Sequence, residues 1–163
     1  MKTLRLLITE KCTRNCNYCC NKRDEVRERF QFVNSLDDID FTSYSSVCIT
    51  GGEPLLVPDR IREVRSKLPS DMPTYLYTSL AVDELPDFNY EKFDGVNISW
   101  HDGVSYTHLG KLEDSGAKLL LRAEEGNRRA RVLSVCWKLH IKYWKRNECL
   151  NNIETEDWVV WKN

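Results

Sequence analysis

Four cysteines of this chain, Cys12, Cys16, Cys19 and Cys20, fall within nine residues, while Cys48, Cys136 and Cys149 are scattered. An odd total of seven makes a poor disulfide framework, so the crowding points to metal or redox chemistry in a reducing compartment. Cys12, Cys16 and Cys19 give the spacing C-x3-C-x2-C on a polar loop. Three thiolates so spaced can wrap one face of an iron–sulfur cube. Four cysteines usually hold a [4Fe–4S] cluster, and three leave one iron open. An open position is what separates a catalytic metal site from a closed structural one. The plainer alternative is a zinc site with Cys20 or Cys48 as fourth ligand. Cys20 is awkward there, because adjacent residues rarely both point at one metal, and Cys48 lies in an expected strand whose alternation leaves its direction open.

A second motif is Thr50-Gly51-Gly52-Glu53-Pro54-Leu55. Its two glycines permit positive φ and leave peptide groups bare for a ligand to approach. Glu53 adds a carboxylate, and Pro54 stiffens the exit. Taken alone, this is an ordinary loop.

The elements that must position these residues follow from periodicity. Residues 3–9 are rich in Leu and Ile and open the chain as a buried strand. Residues 10–21 form the cysteine loop, and 24–32 and 36–44 are expected as short helices. Residues 46–50 are a β-rich run ended by Gly51-Gly52. A helix is expected over 59–68, between Pro58 and Pro69. Strands follow at 74–78, 95–100 and 118–122, with a weak helical turn at 81–85 and a helix over 105–115 closed by Gly116. This alternation predicts an α/β fold with a parallel sheet. A full eight-fold barrel needs about 250 residues, so 163 residues predict a partial (βα) barrel of five to six parallel strands.

From residue 131 to 143 the alternation is nearly period two, predicting a strand or hairpin completed near 157–161. The chain therefore reads as one domain over 1–163, with a core at 3–122 and a basic, aromatic, β-rich extension at 123–163. Between Arg122 and Arg146 eight basic residues face only Glu124 and Glu125. A solvated strand face explains this better than nucleic acid or phosphate binding, because the whole chain carries 24 basic against 25 acidic residues, a net −1. Apolar residues at 41% and charged residues at 30% exclude a disordered chain. No apolar run approaches the roughly 20 residues of a membrane span. The N-terminus does not read as a signal peptide. A cytoplasmic protein with no membrane partner is expected.

Together the two motifs, in this order and on this strand alternation, resemble the radical S-adenosylmethionine (radical SAM) superfamily over residues 3 to about 122. Tyr18, just before the third cysteine, fits as well, since that position is often aromatic in the family. The resemblance implies that Cys12, Cys16 and Cys19 hold a [4Fe–4S] cluster and that S-adenosyl-L-methionine chelates its fourth iron. Reductive cleavage then yields a 5′-deoxyadenosyl radical that takes hydrogen from substrate. It further implies that Gly51, Gly52, Glu53 and Pro54 receive the methionyl amine, that Tyr18 packs near adenine, and that Ser99 meets the ribose. Thr78 and Ser79 end the third strand, where the family often reads Thr-Asn-Gly; here Ser79-Leu80 replaces Asn-Gly. Arg122 could pair with the SAM carboxylate, and His101 and Asp102 share the same rim. A flavodoxin- or ferredoxin-like electron donor is implied as partner. The substrate would be a small molecule, nucleotide or peptide. The alternatives are a glycyl-radical-enzyme activase acting on a partner protein, and a non-catalytic zinc or iron–sulfur binding protein.

Overall fold

Leu4, Leu6 and Ile8 point to one side of the first strand and Arg5 and Leu7 to the other, and this alternation sets up both faces of the molecule. A computed structural model describes residues 1–101, 104–136, 139–144 and 153–162. In chain order the elements begin with β1 (Lys2–Leu7), α1 (Asp24–Arg27), β2 (Phe30–Val33), β3 (Tyr44–Thr50) and α2 (Pro58–Lys67). They continue with β4 (Thr74–Thr78), β5 (Gly95–Trp100), α3 (Tyr106–Asp114) and β6 (Leu119–Glu124). The last are α4 (Arg128–Cys136), β7 (His140–Trp144) and β8 (Glu156–Trp161). All the strands join one sheet in the order β2-β8-β1-β3-β4-β5-β6-β7, and every pairing is parallel.

The α/β class is as the alternation predicts, but the sheet has eight strands rather than five to six. It is open, with β2 and β7 as edges. The helices α2, α3 and α4 lie on one face. Ile61 and Val64, Leu109 and Leu112, and Ala130 and Leu133 join Leu4, Leu6, Ile49, Leu76, Ile98 and Leu121 in one buried core. Each such Leu or Ile contributes about 1.5–3 kcal/mol on burial. The opposite face carries a smaller apolar cluster of Leu7, Val26, Trp158 and Val160, with Cys20 and Phe30 packed against it.

Several local expectations are corrected. Residues 30–33 are a strand rather than the end of a helix, because Phe30, Gln31, Phe32 and Val33 pair with Trp158 to Trp161. Residues 36–44 form two single 3-10 turns, Leu36–Asp38 and Phe41–Ser43, each held by an N-cap acceptor, Ser35 or Asp40. Residues 81–85 form no helix.

The expected hairpin over 131–143 is instead α4 followed by a parallel β7. Asn127 Oδ1 accepts from the Ala130 N–H at 3.0 Å and caps that helix. Among the described side chains of α4, Ala130 and Leu133, three apart, are buried, while Val132 is left 62% exposed, so the period-two pattern was fortuitous. The residues after 122 are thus not a β-rich extension: β7 and β8 belong to the main sheet. Arg128, Arg129 and Arg131 are exposed on α4 and Lys142 on β7, so the basic residues do not share the single strand face expected for them. Asp102, Trp137, Lys138, Lys145, Arg146 and Cys149 lie outside the described residues. No described helix is long and apolar enough to cross a membrane.

Candidate functional site

The two sequence motifs are bound to each other through their backbones. After β1 the chain runs on beside β3, with the Ile8 N–H donating to Thr50 O at 3.0 Å. The Gly52 N–H then donates to Thr9 O at 2.7 Å and the Glu53 N–H to Lys11 O at 2.8 Å. Asn21 Nδ2 donates to Gly51 O at 2.6 Å from the far end of the cysteine loop. This approach is why both residues are glycines. A Cβ at Gly51, whose φ is +142°, would stand 2.3 Å from Thr9 O, and one at Gly52 would stand 2.2 Å from Lys11 O. The loop is also anchored laterally. Thr13 Oγ1 donates to Ala81 O at 3.0 Å, and Tyr18 Oη shares a 2.6 Å hydrogen bond with His101 Nδ1 at the end of β5.

Cys12, Cys16 and Cys19 all line one cavity of about 360 Å³. Cys12 is exposed and the other two are half-buried. Burial pushes the Cys16 thiol up from its ordinary value, the neighbouring Cys19 and Cys12 push it further, and Arg14 and Lys22 pull it back. The three sulfurs are therefore close enough to act on one another. Among the described residues no group of three or more His, Cys, Asp or Glu side chains stands in metal-binding geometry.

The donor set nonetheless fits a three-thiolate cluster. Three soft ligands share a polar loop that opens on a cavity, and neither candidate for a fourth closes it. Cys20 packs against the Leu7, Val26 and Trp158 cluster, although it also reaches the cavity wall. Cys48 is buried in β3 and does not line the cavity. Burial, together with the Glu156 carboxylate, pushes its thiol up to about 11 against the opposing pull of Arg5 and of a hydrogen bond with Tyr77. It is a protonated core thiol at neutral pH.

The cavity opens at the carboxyl ends of the parallel strands, where ligands bind in α/β sheets. Gly51 and Gly52 line it after β3, Thr78 and Ser79 after β4, Ser99 in β5 and Arg122 in β6. Tyr18 and His101 complete the rim. Two sequence-derived site residues are placed elsewhere. Pro54 and Glu53 are buried and do not line the cavity.

The Glu53 carboxylate instead organises the turn after β4. Oε1 accepts from Thr78 Oγ1 at 2.6 Å and the Leu55 N–H at 3.2 Å. Oε2 accepts from the Ser79 N–H at 2.9 Å, Ser79 Oγ at 2.8 Å and the Ala81 N–H at 3.4 Å. Within that turn Leu80 holds a φ of +54°, a left-handed backbone at the position where the resembled family reads glycine. Its side chain is 2% exposed, so burial offsets the roughly 1–2 kcal/mol of strain.

Sequence reasoning missed the strand residues beneath the rim. Arg5 is held bidentately by Glu156, Nε to Oε2 at 2.6 Å and Nη2 to Oε1 at 2.9 Å. Its guanidinium lies 4.8 Å from the ring centroids of both Tyr77 and Trp158. Burial pulls the Arg5 pKa down, but the bonds and charge of Glu156 outweigh it and the value rises above normal. A legible signal existed, namely an arginine in the middle of an otherwise apolar buried strand. Its partner, some 150 residues away, had no local signature.

Comparison with protein-family models finds no match for the chain, and comparison with curated proteins finds none either.

Proposed function

We propose that this chain is a radical SAM enzyme. The observation that carries the reading is the backbone docking of the Gly51-Gly52 turn onto the cysteine loop, with both motifs lining one cavity at the carboxyl ends of a parallel sheet. Two short motifs far apart in sequence thus share one site, which an incidental cysteine cluster does not require.

In this reading Cys12, Cys16 and Cys19 hold a [4Fe–4S] cluster, and the backbone of the Gly51-Gly52 turn and the side chains of Tyr18, Thr78, Ser99 and Arg122 receive S-adenosyl-L-methionine. When bound, these cofactors supply reductive sulfur–carbon cleavage and a 5′-deoxyadenosyl radical for hydrogen abstraction. The chain's own contribution is placement. Glu53 orders the Thr78–Ala81 turn, and the Tyr18–His101 bond ties the cysteine loop to β5. A flavodoxin- or ferredoxin-like partner would deliver the electron to the exposed Cys12 side of the loop.

The test is anaerobic reconstitution with iron and sulfide, followed by SAM and a reductant, scored for 5′-deoxyadenosine. A brown protein that releases 5′-deoxyadenosine is expected, with loss of that product in Cys12→Ala, Cys16→Ala and Cys19→Ala. A colourless, zinc-loaded chain, or full product from any of the three variants, would overturn the reading.

A further inference from the structure

Arg122 reaches the cavity from β6 as a half-buried guanidinium, and none of the described ion pairs includes it. It is held by a neutral group instead. Its Nη1 donates to Tyr77 Oη at 3.2 Å, and its guanidinium carbon lies 5.5 Å from the Tyr77 ring centroid. Tyr77 stands on β4, opposite Asn97 of β5, while Arg122 stands opposite Ser99 of that same strand. The bond therefore spans β5 and draws the guanidinium across it. A long arginine side chain carries much rotamer freedom, and two contacts to one ring remove part of it.

Tyr77 is itself fixed. The Arg5 guanidinium lies 4.8 Å from its ring centroid, and Glu156 holds Arg5 bidentately. The hydroxyl also shares a hydrogen bond with the buried Cys48 thiol. Arginine has donors only, so Tyr77 Oη accepts from Arg122 and keeps its own proton for the sulfur. Burial pushes the Tyr77 hydroxyl up from its ordinary value, against the pull of Arg5 and Arg122, so it is a neutral phenol at neutral pH. A phenol orients a cation without cancelling its charge, which a carboxylate would do. Arg5 is neutralised by Glu156, whereas Arg122 keeps its charge for a ligand.

We propose that Tyr77 is a positioning residue for the cofactor: its hydroxyl fixes Arg122 so that the free edge of the guanidinium meets the methionyl carboxylate of SAM. This role rests on the proposed function, which gives Arg122 to SAM. With one Nη1–H taken by Tyr77, an edge of the fork is left for two parallel bonds to a carboxylate. Ordering that edge beforehand spares the cost of immobilising the side chain on binding, which converts to about three- to tenfold in affinity.

The experiment is calorimetric titration of the reconstituted full chain with SAM and with decarboxylated SAM, which lacks only that carboxylate. Wild type, Tyr77→Phe, Arg122→Gln and the double variant are compared. Tyr77→Phe should weaken SAM about three- to tenfold, and Arg122→Gln about 10- to 100-fold. The double variant should bind no more weakly than Arg122→Gln, since a residue that acts through another has nothing left to position. Decarboxylated SAM should bind wild type and Tyr77→Phe equally. In turnover, Tyr77→Phe should raise the KM for SAM and leave kcat for 5′-deoxyadenosine within about twofold. Tyr75→Phe is the matched comparison. Tyr75 shares the strand and face of Tyr77, but its hydroxyl makes no hydrogen bond among the described residues, and SAM should bind that variant as it binds wild type. Thermal melting checks folding, and Tyr77→Met, likewise without the hydroxyl, replaces Tyr77→Phe should the latter not fold.

A Tyr77→Phe protein that binds SAM as Tyr75→Phe does would overturn the positioning role. So would losses that add in the double variant, or an equal loss of decarboxylated SAM, for Tyr77 would then act apart from Arg122 or from the carboxylate. A wild-type chain that takes up a cluster yet neither binds nor cleaves SAM refutes the proposed function, and this role with it. A chain that cleaves SAM while Tyr77→Phe keeps wild-type affinity refutes this role alone.

Discussion

Glu53 shows how a residue's type can be legible while its job is not. The Gly-Gly-Glu-Pro turn suggests a carboxylate offered to a ligand, but its oxygens accept five hydrogen bonds inside the protein and its side chain is fully buried. Glu53→Ala leaves the Leu55, Ser79 and Ala81 N–H groups and the Thr78 and Ser79 hydroxyls without this acceptor. It should destabilise the fold by about 3 kcal/mol or more, because bonds to a charged acceptor contribute about 1.5–3 kcal/mol each and their orphaned donors are penalised. Urea denaturation checks this. A Glu53→Ala protein of wild-type stability that has lost only SAM affinity would return the carboxylate to the ligand.

Between elements, the decisive contact is that of the cysteine loop with the turn after β3. It is made by main-chain atoms that cannot swing aside, so a single methyl is enough to part them. Gly52→Ala places that methyl 2.2 Å from Lys11 O and should lower stability by roughly 2 kcal/mol or more. It should also reduce the iron retained per chain after reconstitution. Gly126→Ala is the matched comparison, since Gly126 has a φ of +90° but nothing within 4 Å of the added carbon. It should cost only about 1 kcal/mol, with iron content unchanged. Equal effects of the two substitutions on iron content would show that the docking is not what holds the loop.

Across the whole molecule, the first and last strands lie side by side, one strand in from the β2 edge of the sheet. β8 lies between β2 and β1, and the Arg5–Glu156 pair ties it to β1 with side chains only 13% and 10% exposed. Removing one partner of such a pair strands a buried charge. Glu156→Gln is therefore expected to destabilise the protein by about 3–5 kcal/mol. The neighbouring Lys2–Asp157 pair, 52% and 26% exposed, should matter by about 1 kcal/mol or less in Asp157→Asn. Chemical denaturation of the two variants side by side tests the contrast, and similar losses would mean that burial does not separate the pairs.

The sequence by itself determined the parallel α/β class, β4 and β5 to the residue, and the helices between Pro58 and Pro69 and before Gly116. Such features are written in neighbouring residues, as alternation, capping and spacing. Tertiary structure alone decided that residues 30–33 are a strand, since their template is β8, more than a hundred residues later. It alone turned the Glu53 carboxylate inward and set Arg5 between Tyr77 and Trp158. Those outcomes depend on which distant segments come to lie side by side, and local periodicity carries no record of that choice.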